Sequence, residues 1–172
     1  MVKIQTTHKI SKGLVSLMVG LFCLLVGYNN IVDYDTNQQF VQHVLKMDAM
    51  ESWFQGELLK SRAITNDTLV KIGYWIIIAG EFAAGFFCVL GAFIMLRNIQ
   101  KNRFEHGQSW FLIGGTIAAL VWYFGFCVIG AEWFQMWASQ WNGQDAAYSF
   151  VSFIMMTMVY VVIPSPKVTV EI

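Results

Sequence analysis

The run of residues 72–96 limits what this chain can fold into more than any other feature. It is apolar throughout except for Glu81, and an α-helix of about 20 apolar residues crosses the hydrocarbon core of a bilayer. At about 1.5 Å per residue, Glu81 lies roughly 14 Å along such a helix, near the middle of the membrane. The sequence therefore predicts a membrane span that holds a carboxyl group at its centre.

Three further apolar runs are long enough to cross a bilayer, so the predicted fold is an all-α bundle of four transmembrane helices. The composition agrees, because 56% of the residues are hydrophobic and only 13% are charged, against about 25% charged in soluble domains. We expect one domain over residues 1–172, with a helical first outer loop. The predicted spans are 13–31, 72–96, 110–131 and 146–163, and the predicted outer loops are 32–71 and 132–145.

Basic residues are distributed unevenly among the predicted loops, which sets the expected orientation of the chain. Three precede the first span, three lie between the second and third spans, and Lys167 follows the fourth. The loop 132–145 has none, and those of the first loop are diluted by acidic residues. We therefore expect both termini in the cytoplasm and an acidic, aromatic outer surface formed by the first and third loops.

Glu81 is the strongest candidate for a functional residue, because an ionisable group inside a membrane is costly unless it is neutral, paired or hydrated. Small residues follow it at helical spacing, at positions 84, 85 and 88, and direct it toward another helix rather than lipid. The alternative role is a neutral carboxylic acid that only holds neighbouring helices together. The predicted intramembrane polar site consists of Glu81, Tyr28, Asn29 and Tyr123, with Trp122 and Thr157 as further candidate partners.

The stretch 132–145 has three tryptophans at positions i, i+4 and i+8, which on one helix form an aromatic stripe. Tryptophans at the end of a span usually mark the membrane–water interface. The alternative is an aromatic wall beside polar groups that contact a lipid or another ligand at the outer leaflet. The candidate contact residues are Glu132, Trp133, Trp137, Gln140, Trp141 and Asn142.

Metal, cofactor and nucleic-acid functions have little support in the sequence. His43 and Asp48 are weak candidates for a metal site, because their spacing matches no strong ligand motif. The three cysteines lie in apolar runs without a C-x-x-C pair, and no nucleotide-binding loop or Ser-His-Asp arrangement is present. We predict no metal and no cofactor, and the absence of a basic stripe argues against nucleic acid as a partner.

Several segments are distinctive in combination. They are residues 43–48 (HVLKMD), 62–66 (RAITN), Tyr74-Trp75 together with Glu81, and 132–144 (EWFQMWASQWNGQ). On these segments the chain resembles a bacterial family of predicted small integral membrane proteins, a domain of unknown function with four transmembrane helices. The resemblance implies a bacterial inner-membrane protein and implies no activity.

Three functions fit these features. The leading hypothesis is a non-enzymatic scaffold or accessory subunit of a larger membrane complex, with the lipid bilayer, other subunits or bound lipid as partners. The second is a pathway for protons, an ion or a small solute past Glu81. The third is a lipid- or quinone-binding protein at the outer leaflet, using Glu132 and the stripe of Trp133, Trp137 and Trp141.

Overall fold

The computed structural model describes residues 3–166, so Lys167 lies outside the described residues. Within them four helical rods are long and apolar enough to cross a membrane, which confirms the predicted all-α four-span bundle. The helices are α1 (Ile4–Val32), α2 (Tyr34–Lys46), α3 (Asp67–Arg97), α4 (Phe104–Ala119) with a π-helical segment (Leu120–Trp133) continuing it, and α5 (Gln144–Val162). Short 3₁₀ turns at Glu57–Arg62 and Met136–Ala138 complete the fold.

The bundle has two ends. One end, the loop face, is covered by residues 33–66 and 134–143. At the other end, the termini face, α1 begins, α3 connects to α4 and α5 ends. The predicted spans 13–31, 72–96 and 110–131 lie inside the first three rods, and the predicted span 146–163 extends one residue past the end of α5 at Val162. Successive rods run antiparallel to one another.

Small residues hold the central three helices together. α3 packs on α1 along one side and on α4 along the other, and all three α1 glycines (Gly13, Gly20 and Gly27) face α3. A Cβ atom built on Gly91 would lie 2.5 Å from the backbone nitrogen of Phe111 and 2.6 Å from the carbonyl oxygen of Gly107. The backbones therefore touch, as small residues permit where no hydrophobic drive exists between helices.

α5 is the least buried of the four spanning helices. Only 17% of its most apolar window is buried, against 28–39% for the other three. It packs on α4 and on the π-helical segment, while Met155 and Met156 face outward.

The two loops of the loop face pack together. Met50 and Ser139 form an antiparallel bridge, in which Glu51 N–H donates to the carbonyl of Ala138 at 2.9 Å and Gln140 N–H to that of Ala49 at 3.0 Å. α2 provides the helix predicted for the first outer loop. The shared apolar core of the two loops consists of Val44, Met47, Ala131, Phe134 and Met136.

Candidate functional site

A cavity of about 230 Å³, which we call the loop-face chamber, lies in the half of the bundle nearer the loop face. It is bounded by α1, α2, α3, the π-helical segment and the start of α5. Its apolar wall combines aliphatic side chains with four aromatic rings, those of Phe40, Trp122, Phe126 and Phe150. The polar side chains that line it are Asn30, Asn37, Tyr74 and Glu81.

Glu81 is almost fully buried, with 1% of its surface exposed. Its Oε2 atom accepts a hydrogen bond from Asn30 Nδ2 at 2.8 Å, across the contact between α1 and α3. The Tyr74 hydroxyl donates to the backbone carbonyl of Asn30 at 2.7 Å. Asn30 thus joins two residues of α3, and these three residues form what we call the polar cluster.

The polar cluster contains no counterion. The salt bridges within residues 3–166 all lie in the first loop or at the start of α3, and the second carboxyl oxygen, Oε1, has no hydrogen-bond partner among those residues. An ionised carboxylate in apolar surroundings is costly unless a cation and hydrogen bonds offset the lost hydration. The site is therefore suited to a neutral acid, or to a carboxylate beside a bound cationic group.

The polar partners predicted for Glu81 need correction. Tyr28 and Tyr123 are 57% and 52% exposed on the outside of the bundle, Asn29 is also exposed, and the partner is Asn30. Each helical residue is rotated by about 100° from the one before, so Asn30 shares the α3-facing side of Gly27 at i+3, whereas residues 28 and 29 point away. The sequence did carry a signal for this. Gly13, Gly20 and Gly27 recur every seven residues, and the face they share identifies the side of α1 that contacts another helix.

The remaining candidate partners are placed differently. Trp122 lines the loop-face chamber, but the Thr157 hydroxyl donates to the carbonyl of Phe153 on its own helix at 2.7 Å. Asn37 and Tyr74, which the sequence did not single out as partners, also line the chamber.

A family model described as predicted small integral membrane protein (DUF2165) matches residues 8–164. The chain belongs to this family. The match includes all three residues of the polar cluster. No curated protein and no solved structure matches the chain.

For this DUF2165 chain, the prediction that the three tryptophans form one stripe on a helix is wrong. The π-helical segment ends at Trp133, Gln135 adopts a left-handed backbone conformation with φ 56°, and a 3₁₀ turn follows. The physical reason is the bridge between Met50 and Ser139, which holds this stretch against the first loop.

Each of the three tryptophans instead packs on a different residue of the first loop. The Arg62 guanidinium lies over the Trp133 ring, with its Cζ atom 4.5 Å from the ring centre. The Trp137 ring stacks on Trp53 with centroids 5.8 Å apart, and the Trp141 ring on His43 with centroids 4.9 Å apart. These rings tie the loops to each other and do not line the loop-face chamber.

The other outer-face candidates lie at the surface. Glu132, Gln140 and Asn142 are exposed, and the Asn142 Oδ1 atom accepts from Gln144 N–H at 2.9 Å at the start of α5. Contact of these residues with a lipid or another ligand stays a prediction.

The weak metal candidates do meet. His43 Nδ1 and Asp48 Oδ1 are 2.7 Å apart, so the carboxylate holds the ring that stacks on Trp141. Over residues 3–166, no group of three or more His, Cys, Asp or Glu side chains is arranged to hold a metal ion.

Between the loop-face chamber and the termini face, α3 packs closely against both of its neighbours. One turn below Glu81, a Cβ on Gly85 would lie 2.6 Å from the Leu24 side chain and 3.0 Å from the carbonyl oxygen of Gly20. On the other side of α3, a Cβ on Gly114 would lie 2.7 Å from the carbonyl oxygen of Ala84. Below the loop-face chamber, α3 is therefore in direct backbone contact with α1 on one side and with α4 on the other.

Proposed function

We propose that this protein is a non-enzymatic integral membrane protein that binds a small amphipathic molecule in the loop-face chamber. One observation carries the proposal: a buried carboxyl group lies in the wall of a cavity of about 230 Å³ whose other walls are mainly apolar, with both aliphatic and aromatic side chains. Ligand sites typically combine apolar walls with a few well-placed polar groups.

The polar cluster indicates which chemical group the ligand presents. Asn30 Nδ2 and the Tyr74 hydroxyl already donate within the cluster, which leaves Glu81 Oε1 as an acceptor. The matching ligand group is a hydrogen-bond donor. A primary ammonium fits best, because its positive charge also compensates a buried carboxylate.

The cavity volume limits the ligand. Pockets for drug-sized molecules usually enclose about 300–1,000 Å³, so the chamber fits a small molecule or one end of a longer amphiphile. Phe40 of α2 lies against Gly143 at the rim, where a Cβ on that glycine would be 2.8 Å from the ring. We infer that the ligand enters from the loop face, past this contact.

A titration of the full-length protein in neutral detergent with octylamine tests this proposal, with Trp122 fluorescence as the signal and Trp122→Phe to identify that signal. We expect saturable binding of octylamine and none of octanoate. Glu81→Gln removes the charge, and we expect it to weaken octylamine binding at least tenfold. Glu132→Gln removes an exposed carboxylate and is the matched control. Equal binding of amine and carboxylate, or full affinity in Glu81→Gln, contradicts the proposal.

An accessory subunit of a larger membrane complex is the second candidate function. The observation that favours it is the low burial of α5, whose outward methionines are adaptable contact residues. Constant co-purification of one membrane partner, lost on Met156→Lys and kept on Met18→Lys, supports this role. Met18 is a similarly exposed methionine on α1.

A route for protons or ions past Glu81 is less well supported, because backbone contacts on both sides of α3 leave little space between Glu81 and the termini face. We further propose a bacterial inner membrane with both termini in the cytoplasm. The basic residues at the start of α1 and around the connection of α3 to α4 support that orientation. An alkaline phosphatase fusion after residue 172 that is active outside the cytoplasm overturns it.

A further inference from the structure

A second and larger cavity lies at the termini face. It encloses about 540 Å³ between the start of α1, the connection of α3 to α4, and the end of α5. Three lysines and one glutamate line it, so its charge is net positive. The charged residues are Lys9, Lys12, Lys101 and Glu105, and we call this cavity the basic chamber.

Lys12 is the most unusual of these residues, because only 1% of its surface is exposed. Its Nζ atom donates to the backbone carbonyl of Ile163 at the end of α5. A lysine ammonium carries three donor hydrogens, so this bond leaves two. No salt bridge within residues 3–166 involves any lysine of the chamber.

The surroundings hold the lysines in place rather than neutralising them. Lys9 Nζ lies 5.2 Å from the centre of the Phe104 ring, in a cation–π contact. Gln108 Nε2 donates to the carbonyl of Val161 and ties α4 to α5. The amide side chains of Gln5 and Asn102 also line the chamber.

The depth of the basic chamber indicates where its ligand lies. The charge-free run of α1 starts directly after Lys12, and α3 and α5 end at Arg97 and Val162. The lysines therefore lie at the boundary between hydrocarbon and water, at the level of the lipid phosphates. A neighbouring cavity of about 300 Å³ shares Lys9 with the chamber and adds Lys3.

We propose that the basic chamber binds a phosphate-bearing anion, and its depth favours the headgroup of an anionic phospholipid. Basic pockets between transmembrane helices hold such headgroups, and ammonium groups bind phosphate as point charges. Lysines that only flank a span extend into water. Lys12 does not, because it is buried and bonded to the end of α5.

Native mass spectrometry of the full-length protein in neutral detergent, with phosphatidylglycerol or phosphatidylcholine added, tests the site. We expect selective retention of phosphatidylglycerol. Because each lysine near an anionic lipid surface contributes about a fivefold factor in affinity, Lys9→Gln combined with Lys101→Gln should weaken retention about thirty-fold. Lys12 is left unchanged, because it ties α1 to α5.

The matched control is Lys60→Gln combined with Lys71→Gln, which removes the same charge from one half-buried and one exposed position outside the basic chamber. It should retain phosphatidylglycerol like the wild type. A second arm compares sodium phosphate with sodium chloride at equal ionic strength. Stabilisation by phosphate that depends on Lys9 and Lys101, without lipid retention, assigns a soluble phosphate as the source. Without stabilisation by phosphate that depends on Lys9 and Lys101, either of two results overturns the proposal. One is equal retention of phosphatidylglycerol by all variants, and the other is an equal loss of retention in both double variants.

Discussion

The two halves of α3 pack against their neighbours in different ways. Toward the termini face, a Cβ on Gly91 would lie within 3 Å of three backbone atoms of α4. Toward the loop face, a Cβ on Gly73 would meet only one methyl group of Leu45, at 3.5 Å, and the side chains of Tyr74 and Glu81 line a cavity. One helix thus supplies a tightly packed lower half and an open, partly polar upper half.

This difference indicates how a membrane protein of this size keeps a polar cluster at a fixed depth. Small residues in the lower half set the helix separation through backbone contact, with few side-chain rotamers to adjust. In the upper half, aromatic side chains and α2 separate the helices. The rigid half therefore supports the position at which Glu81 meets Asn30.

Gly91→Ala is the substitution with the largest expected effect, because the methyl group would clash with backbone atoms that no rotamer change can move. We expect a loss of about 3 kcal/mol in the free energy of unfolding, at the upper end of overpacking effects. Gly73→Ala is the matched control, with an expected gain of up to about 1 kcal/mol from helix propensity. Unfolding by SDS, followed by circular dichroism, measures both. Equal effects would remove the distinction between the two halves.

Glu81→Leu tests the open half and has the next largest expected effect. It leaves the half-buried Asn30 amide without its acceptor, which should destabilise the protein by about 1 kcal/mol, within the range of about 0.6 to 2 kcal/mol for interhelical hydrogen bonds in membranes. Glu81→Gln keeps an acceptor oxygen, so its stability should stay within about 0.5 kcal/mol of the wild type. The same unfolding assay measures both variants. A Glu81→Leu protein more stable than the wild type would show that the cluster is not a stabilising contact.

The spanning helices could be predicted from the sequence because the thickness of the hydrocarbon core sets a minimum length of apolar helix, which few other segments reach. α2 could be predicted because Phe40, Val41 and Val44 repeat at helical spacing. Glu81 was identifiable from its charge alone, since an ionisable group within a span is rare enough to identify a candidate site.

The remaining parts of the site depend on contacts between distant residues. Whether residue 29 or 30 faces Glu81 depends on the rotation of α1, which the contact of Gly27 with α3 fixes. The tryptophan stripe fails because Gln135 takes a left-handed conformation that residue type alone does not indicate. That turn is stabilised by the bridge to Met50, which is remote in sequence.

Tyr74→Phe has a smaller expected effect and separates the two hydrogen bonds of the polar cluster. It removes only the bond to the carbonyl of Asn30, so we expect a loss of about 0.6 kcal/mol, the average for such bonds in membranes. Tyr28→Phe is the control, because that ring is on the outside of the bundle. Its unfolding should match the wild type. A larger loss for Tyr28→Phe would place the important hydroxyl outside the chamber.

Arg62→Lys has the smallest expected effect on the free energy of unfolding. It tests whether the loop face stabilises the bundle. The Arg62 guanidinium lies over Trp133 and also donates to its carbonyl at 3.2 Å, and lysine cannot keep both contacts in that planar geometry. Because the contact is near the surface, we expect a global loss of no more than about 0.5 kcal/mol, the lower end for exposed cation–π contacts. The local effect should be larger, seen as faster hydrogen exchange of the Glu51 and Gln140 amides that form the bridge. If Arg62→Lys instead destabilises the protein as much as Gly91→Ala, the loops and not the small-residue half hold the helices together.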